Sequence, residues 1–329
     1  MLNYTTPFSF ANSRLLALPT SCIGKRACAL TAQFFIVSLL GHLVACDRAK
    51  PGWVSSRVPS SIPNADIWLG APGTAGELVI VEPGGTSPGT TSRLPLDIDC
   101  YIEDVISIKG DVYVSGVRSR GRKDSHGGIY QVNIQTGKTR MLLSTEKLGG
   151  NASSLCDIGK PRMFLAHGDG FVCRIDLDSN PHIIDARISI PSNASVAPLG
   201  ASDVLVVSRE LSNPTIYPMD GGPSRPIDGL PEQVVIYSIS GGSSLFIGVS
   251  GHSTRLYTVT NGHVNPGKVV SINNLRGVLT GGFRLPGGNV VVVGSYEMPY
   301  HTFWFIDGAR LNTPGMNVFG AARYDAVNP

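Results

Sequence analysis

Between residues 66 and 306 the same arrangement of residues returns six times: a short apolar strand ending in a small residue, a variable loop, a second apolar strand, and a turn rich in Asn, Asp and Gly. The first strands are Asp66–Gly70, Asp111–Gly116, Arg162–Ala166, Asp203–Ser208, Ser244–Gly248 and Asn289–Gly294, at steps of 45, 51, 41, 41 and 45 residues. Their partners are Leu78–Val81, Ile129–Ile134, Phe171–Ile175, Ile216–Met219, Leu256–Val259 and Phe303–Ile306. Gly and Asn in the turns that follow supply the positive φ of tight hairpins. A unit this small cannot bury its apolar face alone, so the copies must stack on one another. Charged residues make up only 16% of the chain while Gly (39) and Pro (23) abound, which suits many short strands and not long solvated helices.

Strand, loop, strand and turn, with one more strand on each side, make a four-stranded blade, and a ring of such blades is a β-propeller. The predicted fold is all-β, a single β-propeller over residues 65–329 with six blades. Seven is the alternative count, and a β-sandwich or solenoid the alternative arrangement. Near-continuous apolar runs such as Val290–Val293 and Val204–Val207 fit middle strands covered on both faces. Five blades have an inner strand upstream, such as Ile102–Ile108 or Val234–Ile239; the first lacks one. The C-terminal segment 317–328 has no blade of its own and is expected to supply it, closing the ring. Neither the Trp-Asp pairs of WD40 blades nor a Tyr-Val-Thr-Asn motif occurs, so the resemblance to propellers is architectural.

The N-terminus reads as a targeting segment. Lys25 and Arg26 precede an apolar run, Ala29–Ala45, and the first acid, Asp47, follows it. Leu43-Val44-Ala45-Cys46 resembles the lipobox of bacterial lipoproteins, which implies that Cys46 is acylated, with palmitate among its chains, and that residues 1–45 are removed as a signal peptide. An uncleaved membrane anchor and an organelle transit peptide are the other readings of such a segment. Residues 46–64, with Ser, three Pro and no apolar period, read as a tether. The resemblance places the protein in the bacterial cell envelope, lipid-anchored to the membrane on its extracytoplasmic side; Asp47 directly after the Cys favours the inner membrane. Without the segment before Cys46 the chain carries 24 basic and 24 acidic residues, a balance that argues against nucleic acid as a partner.

In a propeller, the loops joining the first and second strands above gather on one face. They contain four of the seven histidines, His126, His167, His252 and His301, each from a different blade, while His182 and His263 belong to the opposite face. Neutral imidazoles converging there would suit a transition metal or acid–base work, although no metal-binding spacing is present; otherwise they are ordinary loop residues, and no cofactor is expected. Arg118, Arg120 and Arg122 make the longest loop basic, fit to dock an anionic group or an envelope protein, or simply solvated beside Asp97, Asp99, Glu103 and Asp104. Asp169, Arg255 and Glu297 complete the candidate face. Asp176-Leu-Asp178-Ser-Asn180 opens like a calcium loop but meets Pro181 and Arg187 where Gly and Glu are required, so it is a turn. Cys100, Cys156 and Cys173 have no paired spacing and read as buried hydrophobes, with one disulfide as the alternative. Two functions follow: a noncatalytic binding or scaffolding module, or a propeller enzyme of lactonase, lyase or quinoprotein type acting at the channel mouth.

Overall fold

The computed structural model divides into two units, residues 1–57 and 58–329. It describes residues 67–82, 90–118, 126–179, 183–231, 234–239, 245–250, 253–260, 263–269, 278–285, 290–295, 302–306, 309–310, 318 and 320–324, all in the second unit. The signal, Cys46 and the tether lie outside the described residues.

Among the described residues, twenty-four strands form six four-stranded antiparallel sheets. The first holds β1 (Ile67–Ala71), β2 (Glu77–Glu82) and β3 (Thr90–Pro95). The second holds β4 (Cys100–Ile108), β5 (Asp111–Arg118), β6 (Gly128–Val132) and β7 (Thr139–Ser144). A single-turn helix, α1 (Thr145–Leu148), leads to β8 (Ala152–Asp157), β9 (Met163–Gly168), β10 (Phe171–Asp176) and β11 (Ile183–Ser189). The fourth sheet holds β12 (Ser195–Leu199), β13 (Asp203–Val207), β14 (Thr215–Pro218) and β15 (Arg225–Pro226). The fifth holds β16 (Val235–Ser238), β17 (Leu245–Ser250), β18 (Ser253–Thr260) and β19 (His263–Val269). The sixth holds β20 (Val278–Arg284), β21 (Val290–Ser295), β22 (Thr302–Ile306) and β23 (Ala309–Arg310). The last strand, β24 (Gly320–Tyr324), returns to the first sheet and pairs with β1, from Ile67↔Tyr324 to Ala71↔Gly320. The C-terminal segment thus provides the inner strand that the first repeat lacks.

Burial explains the order of strands. All five residues of β1 are buried and so are Val290–Val293 of β21, because each middle strand is covered by a sheet on either side. The outer strand β3 is exposed or half-buried at every position except Leu94. The core consists of clusters that each bridge two neighbouring sheets. Phe164, Ala166 and Cys173 of the third sheet pack on Ile106, Tyr113 and Ile129 of the second. Trp68 and Val79 of the first pack on Phe283 and Val291 of the sixth, with the Trp68 and Phe283 rings edge to face at 5.4 Å. The inner strands β4, β8, β12, β16, β20 and β24 touch one another in a cycle, so the sheets stand around a common centre.

Candidate functional site

Each inner strand runs from what we term the upper face to the lower, and the chain reverses three times within a sheet. The loops between second and third strands, and the connections between sheets, therefore open on the upper face. The Arg118–His126 loop leaves β5 there and α1 lies in the next connection. Arg118 and His126 are exposed. Hydrogen bonding, chiefly from the Ser144 hydroxyl, holds the Glu146 carboxyl below its ordinary range, and the nearby His126 and Arg118 act in the same direction. Asp169 sits in the β9–β10 turn, where its carboxylate accepts the Asn193 N–H at 3.0 Å. Arg187 stands 4.9 Å from the Phe171 ring centroid and donates to the Leu148 carbonyl at 2.7 Å.

Two expected loop residues belong to strands instead. His167 is paired with Val172 and Ser154 inside the third sheet, and Arg255 with Gly248 inside the fifth, because the ladders continue to the edge of the upper face. His167 is half-buried with its Nδ1 shut off from solvent and without a hydrogen-bond partner among the described residues. Burial pushes its pKa down to about 4, so it is a neutral interior imidazole. His263 opens β19 on the lower face. Arg120, Arg122, His182, His252, Glu297 and His301 lie outside the described residues.

The inner wall holds a feature that the loops did not suggest. β4 pairs with β5 at Ile102↔Gly116 and resumes at Asp104↔Ser115, leaving Glu103 as the extra residue of a β-bulge. Asp104 Oδ1 accepts the Val105 N–H, and its Oδ2 accepts the Ser154 hydroxyl and the Leu155 N–H, each at 2.8 Å. Ser154 and Leu155 belong to β8, so this carboxylate joins the inner strands of two sheets. From the first sheet, β24 approaches so closely that a Cβ on Gly320 would overlap the carboxylate and stand 2.8 Å from the Asp104 Cα. Burial raises Asp104 to about 6 despite its three donors; burial, then the Asp104 charge, raises Glu103 to about 7. Two carboxyls adjacent in the chain are therefore both raised towards neutrality.

Both folded-state values lie above those of the unfolded chain, so the stability they confer is complete at low pH and is lost as pH rises through about 6 to 7. His167 has the opposite sign: its contribution is lost as pH falls from 6.5 towards 4. Between pH 6 and 8, therefore, wild-type stability should fall by on the order of 1 kcal/mol, and the melting temperature with it, while Glu103→Gln removes most of that slope. Thermal melts across that range test it; equal slopes in the two proteins would exclude the assignment.

Cys100, Cys156 and Cys173 are free and buried in three separate clusters, which rules out a disulfide among them. Burial raises the thiols of Cys100 and Cys156 to about 12 and that of Cys173 to about 11, so none is a nucleophile. In the Asp176 turn, the carboxylate accepts Asp178 N–H and the Ser179 hydroxyl, and Asp178 pairs with Arg162.

Four-stranded sheets joined in a cycle through their inner strands define an all-β propeller. Among solved structures the chain is similar to a chain of the nidogen/laminin complex (12% identity, TM-score 0.53), over 79% of this chain and 98% of that one. It is also similar to TolB from Acinetobacter baumannii (15%, TM-score 0.53), over 79% of this chain and 66% of that one. A protein of unknown function from Bacteroides caccae matches at 11% identity and TM-score 0.50, over 79% and 99%. Identities this low establish a shared fold and nothing more. No protein-family model matches the sequence, and no curated protein does.

Proposed function

We propose that this protein is an envelope-anchored lipoprotein whose sheets form a six-bladed ring, used as a noncatalytic platform that binds a partner on its upper face. The observation that carries the anchor is the Leu43-Val44-Ala45-Cys46 box behind its basic flank and apolar run. Each buried methylene of a lipid chain contributes about 0.8 kcal/mol, and two or more chains together can anchor a protein without a spanning helix. The body supports a platform because its loops spring from sheets locked to both neighbours. The exposed Arg118 and His126, with Arg120 and Arg122 on the same loop, offer charge to an anionic group or an envelope protein. The similar chain from the nidogen/laminin complex belongs to a protein–protein complex, the kind of use proposed here. Asp47 favours the inner membrane.

Replacing Cys46→Ala should leave the precursor unprocessed and free of labelled palmitate in a bacterial host. Palmitate that still attaches would overturn the anchor. The second reading, a propeller enzyme of lactonase, lyase or quinoprotein type, is favoured by one observation: the Glu103 and Asp104 carboxyls titrate near neutrality on the inner wall.

A further inference from the structure

The lower face carries an open depression of about 520 Å³ at the seam of the first and second sheets, lined in part by Asp111, Gln131, Lys138, Thr139, Arg140 and Tyr324. Its walls are fixed. The turn after β6 is held by the Asn133 side-chain oxygen, which accepts the N–H groups of Gln135 and Thr136 at 3.0 Å. Gly137 there has φ 72°, and a Cβ on it would overlap the Pro95 carbonyl oxygen of the first sheet. Thr139 gives both its N–H and its hydroxyl to Asp97 Oδ1 at 2.7 Å. Tyr324, also in the lining, ends the closing strand β24.

The polar groups inside form an ordered series. Gln131 Nε2 donates to Asp111 Oδ1 at 3.0 Å, and Gln131 Oε1 accepts from Arg140 Nη2 at 2.7 Å, so the amide can face only one way. Asp111 also takes the Tyr113 hydroxyl. One end of the series is thus an acceptor carboxylate and the other a guanidinium, with Lys138 in the same lining. Arg140 and Lys138 are exposed, and neither is in an ion pair among the described residues. A ligand that satisfies this series carries an anion at one end and hydroxyl donors at the other. Flat amide, carboxylate and guanidinium groups suit vicinal hydroxyls, and the Tyr324 ring suits the apolar face of a pyranose.

We propose that this depression binds an acidic saccharide, with the carboxylate of a uronate unit on Arg140 and Lys138 and its hydroxyls towards Asp111. The site depends on neither the lipid anchor nor the upper-face loops. Galacturonate titrated into the full chain, followed by calorimetry and by the rise in melting temperature, should bind saturably. Arg140→Ala should weaken it at least about tenfold, the scale of one lost charged hydrogen bond. Galactose, which lacks the anion, and acetate, which lacks the hydroxyls, should each bind at least about ten times more weakly than galacturonate. Asp111→Asn should weaken galacturonate and leave acetate unchanged. Should that variant fail to fold, Arg140→Ala and the two control ligands decide the matter alone. No saturable binding, equal binding of acetate or galactose, or full affinity in Arg140→Ala would each overturn the proposal.

Discussion

Truncation after Gly315, which removes β24, is expected to lower the stability of the whole ring and not merely to loosen its first sheet. The deletion strips β1 of its inner partner along five residue pairs. It also takes Val318, Ala321 and Ala322 out of the core, where they are at most 4% exposed, and Val318 and Ala321 belong to the cluster that joins the sixth sheet to the first. Losing roughly five ladder hydrogen bonds at about 1 kcal/mol each, together with that apolar contact, approaches the net stability of about 5–15 kcal/mol that such a domain has in total. In urea, followed by circular dichroism, the truncated chain should lose all of its strand signal in a single transition at much lower denaturant. A truncated chain whose midpoint matches that of the intact protein would show that the ring does not depend on its closing strand.

Asp104→Ala should be the most damaging single substitution at the inner wall, with a loss of about 3–5 kcal/mol. The change removes the acceptor of three donors, Val105 N–H, Ser154 hydroxyl and Leu155 N–H, and each buried donor left unsatisfied costs about 1–3 kcal/mol. Asp104→Asn keeps one acceptor oxygen but turns an amide N–H towards a donor, so its loss should be intermediate. Gly320→Ala approaches the same carboxylate from β24 and should also destabilise, by overlap instead of by lost hydrogen bonds. Equilibrium denaturation of the three variants checks the ranking; an Ala variant as stable as the parent would remove Asp104 from its place between the sheets.

The strand order was largely written in the apolar runs. Residues 67–71 and 290–293 lack polar alternation because both of their faces are covered, and this made the middle strands legible. The missing partner of the first repeat pointed to the C-terminal segment for the same reason: an uncovered edge needs a strand. The site was less legible. Asp97, Asp99, Glu103 and Asp104 read as charges flanking a blade, since nothing local states that the Asp104 carboxylate reaches Ser154 and Leu155 of the neighbouring sheet, even with Ile102–Ile108 expected as an inner strand. One signal was available: two consecutive acids within an apolar strand cannot both point outward under a period of two, and a bulge resolves the conflict. His167 was misplaced by the opposite error, because a histidine before Gly-Asp-Gly looks like a loop residue while the ladder carries it inside. The lower-face depression was invisible because Asp111, Gln131 and Tyr324 meet only through register between segments far apart in sequence.

Ile67 and Tyr324 face each other as partners in one ladder, so the described path of the chain begins and ends at a single spot on the ring. A circularly permuted gene, with a short linker joining these two points and new termini in an upper-face loop such as that between β5 and β6, would encode the same arrangement of sheets with a different residue as its start.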